Sequence, residues 1–551
     1  MKRTFALILA LMLLVSGAAF AEELTLKVAN PDLFPVTTEA GAELTVFAVQ
    51  VASVEDYNTN LETIAMEKLT GVHIDWQLAN HTELDSKFNL SIASGEYPDI
   101  YLKWFSTNDI MAYGIDEGIF IPLNDLLDEH TYWYKRRMEE TPSIRESLTA
   151  PDGNIYSLFV SVDERDEKNA SLYSDKLWYF KAWMEQYKEA TGKDVPATLD
   201  EFCDYLRYVR DNDMNGNGDA ADEIPLLGTF QYDDQGSDPM YAIMNCFQLL
   251  PQNFLVTDDQ NNVICAATTD AFREGLIYLN NMHREGLFPE EVYSLDLNQY
   301  RAVVNVTKPE DMVVAVAAAP YWMRFVTQSI YTTAYDDFTF LPPLKKDADI
   351  PAQTVMREVP IVGNFGSITS ACKDPVLAIK WLDAIADPEL VTISNNGVEG
   401  VNWIRKNAEG EYPTVLEKVV DAPLTGAGST QNIVWQGFLN TDSTYRDLYL
   451  EEGSDSWKMN TIQWAANKAY NAVGVESGFP AGVWCDDTDL TTERSELKTV
   501  IDTAIKTAYS EFILNRRDPN SDAEWQAYLD NLNALGLERY CEVTRLINFG
   551  E

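Results

Sequence analysis

The sequence predicts an α/β protein of two lobes. The chain has 551 residues, which is more than one hydrophobic core usually serves. Strand-like apolar runs alternate with stretches of helical spacing, a pattern typical of parallel sheets with helical crossovers. With 46% hydrophobic and 23% charged residues, the composition is that of a packed globular protein. The chain has no repeat at a period of roughly 20–50 residues, which argues against a solenoid.

The N-terminus predicts an exported protein. A basic start precedes an apolar run at residues 5–15, and an Ala-x-Ala ending closes at Ala21. This order is typical of a signal peptide, which we place at residues 1–21. An uncleaved membrane anchor is the alternative, although the apolar run is short for a bilayer span. Residues 22–43 show no periodicity and are predicted to be a leader, and the cleavage site has no cysteine for lipid attachment.

The first lobe is predicted to begin with alternating strands and helices. Residues 44–49 form a strand-like apolar run, and residues 60–69 follow with helical spacing. Further strands are predicted at 71–76 and 99–102, the second one after turn residues at 94–98. This order is that of β-α-β units, which place their strands in parallel.

Later helices are predicted from their start signals. Thr198 and Glu201 have the spacing of a capping box, in which a hydroxyl and a carboxylate accept opposing backbone amides. The apolar stripe that follows, through Phe202, has helical spacing. Pro375 stands at a first-turn position, where its missing N–H costs no hydrogen bond, and Ser521 caps a C-terminal helix.

The charge balance argues against two classes of partner. There are 87 acidic and 41 basic residues, which gives a formal net charge of −46. Nucleic-acid binding needs clustered Lys and Arg to neutralise phosphates, so no nucleic-acid partner is expected. The same excess of negative charge disfavours docking on anionic membrane surfaces.

Motifs of catalysis and of zinc binding do not stand out. The four histidines are not part of H-E-x-x-H, and no G-x-S-x-G, P-loop or dinucleotide fingerprint follows a strand. The six cysteines include no C-x-x-C pair, and the sequence selects no disulfide pairing. A carboxylate pair for glycoside hydrolysis cannot be picked out among so many acids, so a secreted glycosidase stays an alternative.

One acidic loop favours calcium. Residues 213–223, DMNGNGDAADE, place oxygen-bearing side chains at alternate positions around glycines. Calcium binds roughly six to eight oxygen ligands. A loop that bends at glycines can place carboxylate, amide and carbonyl oxygens around the ion. The twelfth position holds Ile224, where an EF-hand has a bidentate acid, so a loop without metal is the alternative. The candidate metal ligands are Asp213, Asn215, Asn217, Asp219, Asp222 and Glu223.

Several aromatic residues stand beside Gly, Asn or Pro and not inside apolar runs. Flat rings at such positions can stack on the C–H faces of sugars, while neighbouring polar groups bind the hydroxyls. The alternative for each ring is packing in a core, which we predict for Trp381 because it lies at helical spacing. The candidate ligand-binding residues are Trp104, Tyr321, Trp322, Trp403 and Trp435.

The order of short motifs resembles a known family. The chain is similar to the family 1 extracellular solute-binding proteins of bacterial ABC transporters, in the long oligosaccharide-binding subgroup common in Firmicutes. The resemblance runs from about residue 44 to the C-terminus. Its landmarks, besides the capped helix at 198–202 and the acidic loop, are SGEYPDI at 94–100, PLNDL at 122–126, DGNIY at 152–156 and NNGVEGV at 395–401.

The resemblance implies a type 2 periplasmic-binding-protein fold. In this fold two α/β lobes are joined by crossover strands, with the ligand cleft between them. Lobe one would hold residues 44–157 and the return segment 360–405. Lobe two would hold residues 158–359 and the C-terminal helical part 406–551.

The resemblance also implies roles for two segments. In the family, the segment matching residues 317–322 contributes aromatic contacts in the cleft, which transfers to Tyr321 and Trp322. Some members, including alginate-binding proteins, hold calcium in the segment matching the acidic loop. Their usual run is D-x-N-G-N-G-x-x-D-E, and this chain has one extra residue before Asp222 and Glu223. The match therefore assigns Asp213, Asn215 and Asn217 as calcium ligands and leaves the assignment of Asp222 and Glu223 open.

Together, these features lead us to expect a non-enzymatic, monomeric binding protein outside the cytoplasm. It would capture a saccharide, in the first place an oligosaccharide, by hinge closure and deliver it to an ABC permease, with structural Ca²⁺ in the acidic loop. A secreted glycoside hydrolase and a binding protein for a peptide or another non-sugar solute are the alternatives.

Overall fold

The structure is a computed structural model. It describes residues 26–50, 57–58, 60–80, 82–163, 176–230, 237–251, 253–306, 308–321, 324–326, 337–356, 361–391, 403–405, 416–418, 455–480, 483–485 and 487–550. The predicted signal peptide at residues 1–21 lies outside these ranges. In the described part of the chain, no helix combines the length and the apolar character needed to cross a membrane.

The described residues divide into two compact units. The first unit comprises those within Met1–Asp163 and Pro360–Tyr449. The second comprises those within Glu164–Val359 and Leu450–Glu551. Each unit has its own sheet and its own buried apolar cluster, and the lobe boundaries expected from the sequence stay a prediction.

The sheet of the first unit is mixed, with two parallel and two antiparallel strand pairings. In spatial order its strands are His73–Ala79, Glu43–Val49, Ile100–Phe105, Ile361–Ile368 and Leu158–Asp163. The first three run parallel, and Ile361–Ile368 is antiparallel to both of its neighbours. A separate antiparallel pair joins Trp403–Arg405 to Leu416–Lys418. The predicted α/β class is confirmed, and the strands expected near residues 44, 71 and 99 are present.

The helices of the first unit follow from local signals. The first one begins after Asn60, whose side chain accepts the backbone N–H groups of Glu62 and Thr63. It ends at Gly71, with φ 75°, where a Cβ atom would lie 2.3 Å from the carbonyl oxygen of Thr37. Only glycine fits there. The helices are Leu61–Thr70, Leu84–Ser94, Thr107–Ile110, Asn124–His130, Trp133–Glu140, Pro142–Leu148 and Pro375–Ala384, with a π-helical stretch at Met111–Asp116 and a 3₁₀ turn at Pro31–Leu33.

A buried carboxylate of the first unit joins distant segments. Asp383, 2% exposed, accepts the backbone N–H groups of Tyr132, Trp133 and Tyr134 at 2.8, 2.9 and 3.0 Å. It thereby satisfies amides at the start of the helix Trp133–Glu140. Burial raises the pKa of Asp383 to about 6 although these amides favour its charged form.

The sheet of the second unit is mixed. In spatial order its strands are Phe338–Phe340, Lys176–Phe180, Val314–Ala319 and Ile224–Leu227. Val314–Ala319 is parallel to Ile224–Leu227 and antiparallel to Lys176–Phe180. All six residues of Val314–Ala319 are buried, as expected for a central strand covered on both faces. Two short pairs lie apart from this sheet, Leu255–Thr257 with Val263–Cys265 and Thr354–Met356 with Gly474–Glu476.

Helices of the second unit begin where the sequence indicates. The predicted capping box is formed, since Thr198 accepts the N–H of Glu201 and Glu201 accepts that of Thr198. The predicted cap Ser521 is also confirmed, and in the first unit Pro375 occupies the first turn of its helix as predicted, after the cap Asp374. The helices are Lys181–Thr191, Leu199–Asp211, Pro239–Met244, Asp270–Arg284, Leu297–Val304, Asp455–Asn471, Thr488–Ile513, Asp522–Ala534 and Leu537–Phe549, with 3₁₀ turns at Ala266–Thr268, Glu290–Tyr293 and Pro309–Asp311.

Candidate functional site

The second unit presents two candidate regions at opposite ends of one strand pair. The parallel strands Ile224–Leu227 and Val314–Ala319 pair from Ile224 with Val314 onward, so their amino ends share one edge of the sheet. The acidic loop, residues 213–223, lies at the amino edge, where it leads into Ile224. Residues 318–321 and 324–326, which we call the carboxyl-edge segment, lie at the other end. Ligands of open α/β sheets bind outside the carboxyl ends of strands, so the two regions suit different roles.

Asp213 organises the first half of the acidic loop. Its Oδ1 accepts the backbone N–H groups of Gly216 and Asn217 at 2.8 and 3.1 Å, and its Oδ2 accepts that of Gly218 at 2.8 Å. Such a wrapped loop needs φ values that favour glycine, and Gly216 and Gly218 have φ of 76° and 94°. The alternating oxygens and glycines of the sequence therefore form one compact turn.

The last two acids return to this turn. The side-chain amide of Asn217 donates to Asp222 Oδ2 at 2.7 Å, and the backbone N–H of Met214 donates to Glu223 Oε1 at 2.7 Å. The extra residue ahead of Asp222, relative to the family run, thus does not remove either acid from the loop. Asp219 is engaged locally, because its Oδ1 accepts the N–H of Ala221 at 3.0 Å.

Two carboxylate oxygens of the loop are buried without a donor. Asp222 Oδ1 and Glu223 Oε2 are inaccessible to solvent and have no hydrogen-bond partner. Burial raises the pKa of Glu223, and the nearby Asp222 adds repulsion, while backbone amides oppose the shift. Buried carboxylate oxygens without a donor suit a hard cation, which would supply the missing positive charge.

The acidic side chains of the loop are not enough by themselves to form a metal site. Among the described residues, no three His, Cys, Asp or Glu side chains converge in a way that could hold a metal ion. A calcium site here would have to include the amide oxygens of Asn215 and Asn217 and backbone carbonyls, which calcium accepts. Asn215 is already placed for this, since its amide N–H donates to the carbonyl of Met312 at 3.2 Å and its oxygen accepts the N–H of Asn217 at 3.0 Å.

At the carboxyl edge, Tyr321 follows the buried strand Val314–Ala319 with Pro320 between them. It is half-buried, and burial raises the pKa of its phenol while the charge of Arg301 opposes the shift. The backbone N–H of Arg324 donates to the carbonyl of Tyr321 at 3.0 Å. Trp322, the other residue predicted in this segment, lies outside the described residues.

In the first unit, Trp104 lies near the carboxyl end of the strand Ile100–Phe105. It is 44% exposed although it belongs to a central strand. Its indole packs against the ring of Phe365 at a steep angle of 71°, with ring centroids 5.3 Å apart, and lies against Gly363. A Cβ atom at Gly363 would be 1.9 Å from the indole Cζ3, so glycine is required there. Phe365 and Gly363 thus hold the Trp104 ring in place, and part of the ring surface stays open to solvent.

The structure describes some of the other predicted aromatic residues and not others. Trp381 is 3% exposed and packs in the core of the first unit, as predicted. Trp403 is described only as part of the strand Trp403–Arg405. Trp435 lies outside the described residues. Trp104 and Tyr321 belong to different units, so each is placed only within its own sheet.

Sequence reasoning missed Lys176, which is fully buried at the carboxyl edge of the second unit. Its ammonium group donates to the carbonyl of Pro320 at 2.8 Å and lies 5.5 Å from the ring centre of Tyr470. In the sequence Lys176 merely precedes the apolar run 177–180, and nothing there indicates that strand pairing brings it opposite Ala319.

The six cysteines of the chain are all free thiols. Burial raises the pKa of several of these thiols, including those of Cys246 and Cys265.

Comparisons with known proteins give a consistent result. No family model matches the chain. The fructooligosaccharide ABC transporter substrate-binding protein FusA of Streptococcus pneumoniae is 27% identical over 503 residues, which cover 89% of this chain and 87% of that protein.

Solved structures share the fold. FusA in complex with kestose superposes with a TM-score of 0.70 at 24% identity, covering 91% of this chain and 98% of the other. A FusA EF-hand mutant in complex with fructo-nystose gives a TM-score of 0.67 at 24% identity with the same coverage. An extracellular solute-binding protein of Bifidobacterium longum subsp. infantis gives 0.72 at 19% identity, covering 92% and 98%. The resemblance predicted from the sequence is therefore confirmed: the chain is a homologue of the substrate-binding proteins of ABC transporters and has the α/β fold of extracellular solute-binding proteins.

Proposed function

We propose that this protein captures a saccharide outside the cytoplasm and delivers it to an ABC importer without altering it. The observation that carries this proposal is the similarity to FusA, a fructooligosaccharide-binding protein, along 89% of the chain. Binding would shift the two lobes toward a closed state, which makes contacts with the ligand that an open state lacks. A membrane permease would then distinguish the closed, loaded protein.

Exposed aromatic surface at the carboxyl edges supports saccharide binding. Trp104 offers a wide, flat ring that is braced by Gly363 and Phe365, and Tyr321 follows a central strand of the other sheet. Rigid aromatic rings bind the apolar faces of sugars with little loss of conformational entropy. Trp322, Trp403 and Trp435 complete the proposed aromatic set on the strength of the sequence.

We further propose that the acidic loop holds a structural calcium ion. Asp213, Asn215, Asn217, Asp219, Asp222 and Glu223 are the proposed side-chain ligands. The buried, unpartnered oxygens of Asp222 and Glu223 support this, and the relative FusA has been studied as an EF-hand mutant. Because the loop lies at the amino edge of the strand pair, its ion would stabilise the second unit and take no part in ligand contacts.

Export is part of the proposal. A signal peptide at residues 1–21 would direct the chain out of the cytoplasm, and the mature protein would act as a monomer in the periplasm, at the cell surface or in the medium. The N-terminal sequence of the secreted protein tests this, with Glu22 expected as the first residue.

The function is tested by titrating the mature protein with kestose and with a panel of neutral and acidic oligosaccharides. Binding is followed by Trp fluorescence and by thermal shift, and the ligand is then recovered and analysed by chromatography. Saturable binding with the sugar recovered intact is expected. A cleaved sugar would indicate the glycosidase alternative, and no binding to any saccharide of the panel by folded protein would indicate a receptor for a peptide or another non-sugar solute.

A further inference from the structure

The carbonyl groups of the carboxyl-edge segment accept hydrogen bonds from side chains. Two donors come from the neighbouring antiparallel strand Lys176–Phe180. Trp178 Nε1 donates to the carbonyl of Ala319 at 2.9 Å, and Lys176 Nζ donates to that of Pro320 at 2.8 Å. Both side chains are fully buried.

Further donors come from the helix Leu297–Val304 and the residue that follows it. These bonds are Tyr300 OH to the carbonyl of Ala318 at 2.9 Å, Arg301 Nε to that of Arg324 at 2.7 Å and Asn305 Nδ2 to that of Phe325 at 2.7 Å. The segment is therefore held from two sides, before and after Tyr321. We call these five side chains the carbonyl clamp.

The clamp is built from distant parts of the chain. Its bonds join residues that are 18 to 144 positions apart in sequence. Removing an ammonium group from water is costly, so Lys176 must recover that cost through its contacts. A charged donor also makes a stronger bond to a carbonyl than a neutral one does. The carbonyl that receives it, that of Pro320, immediately precedes Tyr321.

We propose that the carbonyl clamp positions the carboxyl-edge segment for saccharide binding, with Lys176 as its principal positioning residue. This inference rests on the proposed function and deepens it. Holding the carbonyls before and after Tyr321 fixes the backbone that carries its ring, so the free protein already has the binding conformation at Tyr321. A segment ordered in advance loses less entropy when the ligand binds, which raises affinity without a direct contact.

The test uses Lys176→Met, which removes the ammonium group and keeps an unbranched side chain. Lys346→Met is the matched control, because Lys346 also lies over an aromatic ring, that of Phe247 at 5.0 Å, but binds no carbonyl of the segment. Asn305→Leu is a second clamp variant, which keeps the proposal testable if Lys176→Met fails to fold. Each variant is made in the wild-type and in the Tyr321→Ala background.

Two measurements are made. Hydrogen exchange of peptides covering residues 318–326 is followed without sugar, and kestose affinity is measured by titration. We expect faster exchange in this segment for Lys176→Met and Asn305→Leu, and about tenfold weaker kestose binding for Lys176→Met, equivalent to roughly 1.4 kcal/mol. In the Tyr321→Ala background, the same change should weaken binding by clearly less, because the residue it positions is already gone.

The outcomes separate this inference from the proposed function. If wild-type protein binds kestose and both clamp variants bind it equally well, the positioning role is wrong and saccharide binding stands. An equal loss in both backgrounds would also overturn the role, since a purely structural effect does not depend on Tyr321. If wild-type protein binds neither kestose nor any other saccharide of the panel, the proposed function fails, and the positioning role fails with it. Unchanged exchange in a clamp variant would overturn the clamp itself, whatever the ligand.

Discussion

The acidic loop and the carboxyl-edge segment lie at opposite ends of the same two strands, and different forces hold them. Most hydrogen bonds of the loop join residues two to nine positions apart, as from Gly216 to Asp213 and from Met214 to Glu223. Those of the segment reach up to 144 positions, as from Lys176 to Pro320.

This difference has a functional consequence. A loop that wraps itself can bring oxygen ligands together with little help from the fold, which suits a structural ion. A segment that is ordered only by the surrounding scaffold can be held in a chosen conformation, which suits ligand binding. The following predictions test whether the two ends of the strand pair really have separate roles.

The largest expected effect concerns Asp238, at the carboxyl edge. Asp238 is buried beside Ser237, which bridges to Thr229 after the strand Ile224–Leu227. Its Oδ1 accepts the N–H of Met240 at 2.9 Å, and its Oδ2 has no partner. Burial raises the pKa of Asp238 to about 7, and the phenols of Tyr293 and Tyr509 are close enough to feel its charge.

A carboxyl group with a raised folded-state pKa stabilises the fold at low pH, and this stability is lost as pH rises toward 7. Asp238→Asn should therefore raise the free energy of unfolding at pH 8 by up to about 4 kcal/mol and change it little near pH 4. Urea unfolding at both pH values measures the difference. Asp383→Asn is the control of opposite sign: both Asp383 oxygens accept backbone amides, so an NH₂ group there should destabilise the protein. An equal effect of Asp238→Asn at both pH values would contradict the prediction.

The next effect concerns calcium at the amino edge. Chelation should lower the free energy of unfolding by about 2–3 kcal/mol relative to a calcium concentration of about one hundred times Kd. Asp213→Asn should abolish this response in thermal unfolding. Asp258→Asn is the matched control, because Asp258 also organises a short acidic turn by accepting the N–H groups of Gln260 and Asn262.

Kestose affinity should not change when calcium is removed, provided that the second unit stays folded. A loss of affinity at unchanged stability would show that the two ends of the strand pair are coupled. No stability change after verified metal removal would leave the loop without a metal.

A smaller effect is expected for the exposed aromatic ring of the first unit. Trp104→Ala should weaken saccharide binding by about 1 kcal/mol or more, while the protein stays folded with some loss of thermal stability from the lost contact with Phe365. The same loss is predicted for Trp322→Ala from the sequence. Tyr132→Ala is the control, since Tyr132 is similarly exposed at 42% but lies before the helix Trp133–Glu140. Equal affinity of Trp104→Ala and wild type would remove Trp104 from the site.

The smallest effect concerns the helix that leads into the acidic loop. Thr198→Ala removes the cap of Leu199–Asp211 and should cost about 1 kcal/mol of stability, with kestose affinity unchanged. Thr503→Ala, in the middle of the helix Thr488–Ile513, is the control and should be close to neutral. If both substitutions proved equally destabilising in chemical unfolding, the cap would not be the cause.

Features that depend on short-range contacts could be predicted from the sequence, and features that depend on long-range contacts could not. Caps such as Thr198 and turns such as the one around Asp213 depend on neighbours a few residues away, so their pattern is visible in the chain. The strand Glu43–Val49 and its helix-crossover neighbours were predictable for the same reason.

Long-range contacts were not predictable. Lys176 is one lysine beside an apolar run, and only strand pairing brings it to Pro320. The burial of Asp238 and Asp383 could not be predicted from the sequence either. The chain has 87 acidic residues, and acidic residues mostly lie on protein surfaces. Trp104 was expected to follow a strand, but it belongs to the strand Ile100–Phe105, and its role in binding stays a prediction. Its contact with Gly363 could not be predicted, because that glycine lies on a strand more than 250 positions away.

The most direct test of saccharide capture is the titration of the mature protein with kestose and the oligosaccharide panel, followed by recovery of the ligand. We predict saturable binding, a higher melting temperature in the presence of the bound sugar, and recovery of that sugar unaltered. Recovery of cleaved sugar, or no binding to any saccharide of the panel by folded protein, would contradict capture without chemistry.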